Sequence, residues 1–69
     1  MNQTDGICGL LATLPINKRV DEIVVDGFNE AVFRFLNLDE EANLAYFSSV
    51  DGGLVVADCR RISSIDFPV

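Results

Sequence analysis

The period of the apolar residues changes along the chain. Ile7, Leu10, Leu11 and Leu14 recur at three- and four-residue intervals, the spacing of one helical stripe. Thr4 or Asp5 stands where a cap belongs and Pro15 where the helix must stop, so the apolar segment 1–16 is predicted to hold a short helix. Gly6 and Gly9 weaken that helix and keep a strand open as the alternative. From Val20 onward the pattern is that of short strands separated by turns. Val20 to Val25 is the first strand, and Asp26-Gly27 supplies the positive φ angles of a tight hairpin. Ala31 to Leu38 is the second, with Phe33 and Phe35 on one face and Val32, Arg34, Leu36 and Leu38 on the other. A polar loop, Asp39 to Asn43, leads to a third strand from Leu44 to Val50. Asp51-Gly52-Gly53 is a second turn, Leu54 to Cys59 a fourth strand, and Arg60 to Ser63 a helical turn. Ile65 to Phe67 is a short last strand, ended by Pro68.

Three features of that layout resemble the SH3-like and Sm-like small β-barrels. They are the Asp26-Gly27 turn, the Asp51-Gly52-Gly53 turn, and the ending that runs from Val55 through Arg60-Arg61 to Phe67. The resemblance is one of fold and covers Val20 to Phe67. It implies a mainly β domain, a small five-stranded antiparallel barrel or strongly bent sheet over 20–67, within a single domain 1–69. Sm-like proteins assemble into rings and bind RNA. Their glycine- and asparagine-containing RNA-contact motifs have no counterpart here, so no functional residue carries over, and the fold does not fix the function.

Strands of a small solvated barrel are expected to alternate apolar and polar residues. Here the second strand is apolar on both faces, and the fourth sets Leu54 and Val56 on one face against Val55 and Ala57 on the other. One core layer does not cover both. The second face therefore calls for the N-terminal segment, another copy, or a protein partner. The leading expectation is a non-enzymatic interaction or assembly module, a homo-oligomer or one that docks on a partner, with Val32, Leu36, Leu38, Val55 and Ala57 as its apolar contact residues.

Charge narrows the alternatives. Eleven Asp and Glu against five Lys and Arg give a net charge of -6, which leaves little with which to neutralise nucleic-acid phosphates. The second hypothesis, a ligand- or nucleic-acid-binding barrel using Arg34, Arg60, Arg61 and exposed aromatics, is disfavoured on that ground. Phe28, Phe33, Phe35, Tyr46, Phe47 and Phe67 are expected mostly in the core. No histidine is present to serve as a base for Cys59 or for the Ser48-Ser49 and Ser63-Ser64 hydroxyls, so no enzyme is expected. Asp39, Glu40 and Glu41 resemble the opening of a calcium loop, but Leu44 stands where its glycine belongs and Val50 where its last glutamate belongs. Neither a metal nor a cofactor is expected. Cys8 and Cys59, without a CxxC pair, are read as separate buried thiols of a cytoplasmic protein, indifferent to redox state. The apolar run from Ile7 to Ile16 is too short to span a membrane.

Overall fold

Asp26 and Gly27 both take positive φ, 54° and 85°, in the computed structural model, which describes Gly6–Pro68. Those angles belong to a two-residue hairpin turn whose twist matches its strands. The turn joins β1 (Glu22–Val25) to β2 (Phe28–Ala31), with Val25 opposite Phe28. The chain continues through β3 (Arg34–Asp39), β4 (Leu44–Ser48), β5 (Leu54–Asp58), a one-turn 3₁₀ helix η1 (Cys59–Arg61) and β6 (Ile62–Asp66). The fold is mainly β: two antiparallel three-stranded sheets, ordered β2-β1-β6 and β3-β4-β5. A closed five-stranded barrel is not formed among the described residues.

The predicted second strand departs most from expectation. It breaks at Val32–Phe33 and passes from one sheet to the other, β2 on one side and β3 on the other. Backbone bonds of the preceding segment hold the corner: Val32 N–H donates to Asp21, Val20 N–H to Phe33, and Phe35 N–H to Lys18. A second irregularity follows at Leu36, which opposes no residue of β4: Phe35 pairs with Phe47, but Asn37 pairs with Tyr46. Such a bulge shifts the parity of every residue after it. The break turns Val32 inward and Phe35 keeps its inward face, each 2% exposed, while the bulge brings Leu38 against the core from its edge. Phe33 turns outward. The predicted faces of this strand are thus corrected at Val32, Phe33 and Leu38.

The core is built from Leu11, Val20, Ile23, Val32, Phe35, Phe47 and Ile62, with Ala45, Ala57 and both cysteines. Phe35 and Phe47 meet edge to face at 5.8 Å, a favourable aromatic geometry. The N-terminal segment does form a helix, α1 (Gly6–Ala12). It covers part of the core with Cys8 and Leu11, while Ile7 and Leu14 pack alongside and Leu10 faces solvent. The predicted caps at Thr4 and Asp5 lie outside the described residues.

Seven residues are too few for a helix to hold its shape by backbone bonds alone. A disulfide from Cys8 to Cys59 ties α1 to η1, with Cα atoms 5.2 Å apart. This corrects the expectation of two separate thiols. The bond was hidden because its partners are separated by 51 positions and meet only once β6 and η1 are in place.

Candidate functional site

Outward-facing residues of the β3-β4-β5 sheet form an exposed apolar surface beside a groove. On β5 the alternation is plain: Ala57 is buried and Val55 packs on the core, while Leu54 and Val56 are 61% and 46% exposed. Register sets Val56 beside Tyr46 and Leu54 beside Ser48. The bulge delivers Leu36 to the same side. Leu36, Tyr46 and Leu54 line a shallow groove of about 710 Å³, and Asp39, Glu40 and Glu41 stand along its rim. The rim is a tight turn: Ala42 N–H donates to the Asp39 carboxylate at 3.2 Å, and Asn43 completes the reversal at φ 58°.

The five residues predicted as contacts divide. Val32 and Ala57 lie in the core, and Leu38 and Val55 pack against it. Leu36 alone lines the groove from the outer side of the bulge, although Leu38 reaches its wall. Leu54, Val56 and Tyr46 were not among those five. The signal that points to them is the polar Asp58, which shares its parity with Leu54 and Val56, whereas the buried Cys59 shares parity with Val55 and Ala57.

Cations predicted for ligand binding do not converge. Arg60 grips Asp58 with two bonds, Nε to Oδ1 at 3.0 Å and Nη2 to Oδ2 at 2.8 Å. Asp58 also caps η1 by accepting from Arg60 N–H. The side-chain and backbone bonds from Arg60 hold the Asp58 carboxyl down to about 2, and raise the Arg60 guanidinium in return. Arg61 pairs with Asp26 at 3.3 Å. Arg34 donates to the Asn17 carbonyl at 3.0 Å and lies 4.7 Å from the Phe33 ring, whose other cationic neighbour is Arg19 at 4.6 Å. Lys18 sits over Phe67 at 5.7 Å. Of the aromatics, Phe35 and Phe47 are core residues as expected, but Phe28 is 76% exposed on β2.

At the second turn, Ser49 Oγ donates to the Asp51 carboxylate and accepts from Gly53 N–H at 2.9 Å. The Ser49 bond, and then a second bond from Gly53 N–H to Asp51 Oδ1 at 3.4 Å, lower the Asp51 carboxyl below the usual range. Both shifted carboxylates are thus stabilised as anions by a structural partner, the opposite of a group poised to give a proton near neutrality. Comparison with known proteins returns nothing: no family model, no curated protein and no solved structure matches the chain.

Proposed function

We propose that the protein is a non-enzymatic interaction module that binds another protein surface through the outer face of the β3-β4-β5 sheet. The observation that carries this reading is β5 itself, a strand whose inner residues are covered and whose outer residues, Leu54 and Val56, are left in water beside Tyr46. Full burial of a side chain of this kind is worth roughly 1.5–3 kcal/mol. Covering the exposed halves of both recovers on the order of 2 kcal/mol, which is the available drive for docking. The nucleic-acid alternative loses support, since Arg60 and Arg61 are each held by a carboxylate. The hydrogen bonds that bind residues 17–21 to 32–35 hold the corner at which the chain bends from one sheet into the other. The disulfide weighs against the cytoplasmic reading, because such bonds persist in oxidising compartments. No helix among the described residues is long and apolar enough to cross a membrane.

The test is selection of a random peptide library on the immobilised protein, together with its mass in solution. Bound peptides, or a self-association, that weaken about tenfold in a folded Leu54→Ser/Val56→Ser double variant support the reading; tenfold corresponds to about 1.4 kcal/mol. A monomer that enriches no peptide sensitive to that variant overturns it.

A further inference from the structure

We infer that the groove takes a basic, amphipathic segment of a partner protein, with apolar side chains on the Leu36–Tyr46–Leu54 floor and lysine or arginine against the rim. The inference rests on the interaction-module reading and adds the chemistry of the occupant. Its basis is an imbalance of charge. Asp39, Glu40 and Glu41 are exposed along one side of the groove, and no cation of the described residues pairs with any of them. All five of the chain's cations are engaged elsewhere. Arg60 is on Asp58, Arg61 on Asp26, Arg19 on Asp21 and Phe33, Arg34 on Asn17 and Phe33, and Lys18 on Phe67.

That distribution decides among occupants. A second copy brings a net charge of -6 with its own cations already engaged, so it offers the rim more repulsion than attraction. A nucleic acid or an anionic lipid surface meets the same carboxylates with phosphate. A partner segment carrying lysine or arginine beside leucine or tyrosine satisfies both halves of the groove at once. Complementary charge at an exposed rim acts mainly on the rate of encounter and on the choice of partner, and it weakens with salt.

Two short peptides distinguish the possibilities, one alternating lysine with leucine and tyrosine, the other with glutamate in place of lysine. Binding is measured by calorimetry and mapped by amide chemical shifts. The lysine peptide is expected to bind, to shift amides of Leu36–Glu41 and Tyr46–Leu54, and to weaken about tenfold in Glu40→Lys/Glu41→Lys. The equal charge change Glu22→Lys/Asp66→Lys, remote from the groove, is expected to spare it; tenfold is about 1.4 kcal/mol. Equal binding of both peptides, or equal loss in both charge variants, overturns the inference. So does a self-association that Leu54→Ser dissolves, because the occupant is then a second copy. If neither peptide binds while library peptides sensitive to Leu54→Ser/Val56→Ser are recovered, the inference fails and the interaction-module reading stands. If those are absent too, both fail.

Discussion

Breaking the Cys8–Cys59 bond is the sharpest test of how this small fold holds together. The bond closes a loop of 51 positions. Loop-closure entropy lost by the unfolded chain then stabilises the folded one by about 4 kcal/mol on the chain-entropy account. A chain of this length has a total stability of only about 3–10 kcal/mol, so the reduced protein sits near the edge of folding. The loss has a structural location as well. Without the bond α1 has only Leu11 and its flanking contacts to hold it, and seven residues do not sustain a helix in water. Each kcal/mol moves the midpoint of a domain this size by roughly 4–8 °C. Full reduction, or Cys8→Ala/Cys59→Ala, is therefore expected to lower Tm by about 15–30 °C. The assay is thermal unfolding by circular dichroism with and without reductant, alongside a thiol titration of the denatured, unreduced chain. Two free thiols in that titration, or a Tm unmoved by complete reduction, would refute the reasoning.

Three further outcomes follow from packing, turn geometry and charge. Phe47→Ala empties the centre of the core, where Phe47 is fully buried against Phe35, and is expected to cost about 3–5 kcal/mol, read from denaturant unfolding. Gly27→Ala forces a side chain into φ 85° with open space around it. Its cost is therefore backbone strain alone, about 1–2 kcal/mol in the same assay. Asp58 is held to about 2 when folded, against roughly 3.9 when unfolded. A depressed carboxyl stabilises the fold above its unfolded value, and that contribution disappears as pH falls from about 4 to about 2. Asp58→Asn is expected to remove this portion of the acid-unfolding curve, and a curve of unchanged slope over that window would count against the Arg60 pairing.

Local chemistry was legible in the sequence and long-range geometry was not. The Asp26-Gly27 hairpin, the Asp51-Gly52-Gly53 turn and the helical turn before the last strand follow from residues that act on their own backbone, and the structure forms each. The short helix was visible in its stripe, except that Cys8 rather than Leu10 supplies the buried contact. The second strand misled because its break at Val32–Phe33 and its bulge at Leu36 depend on which backbone groups partner it, and no residue in 31–38 announces either. One bulge was enough to move Leu38 from the expected outer face to the core side. The same limit governed the site. On β5, Val55 and Ala57 were named as the contact residues, whereas Ala57 is buried, Val55 packs on the core and Leu54 and Val56 face solvent, although Asp58 carries the parity signal.

The position of the disulfide also determines how the chain bears load. A pull on its two ends enters at Cys8 and leaves at Cys59 across the sulfur–sulfur bond, bypassing everything between them. β1 to β5 all lie inside that shunt, so the pull does not run along their backbone. Of the described strands only β6 lies outside it, antiparallel to β1, so stretching peels one strand from the edge of one sheet while the β3-β4-β5 sheet and its exposed face stay intact. In mechanical terms the oxidised protein is a clasped loop with one short release tab.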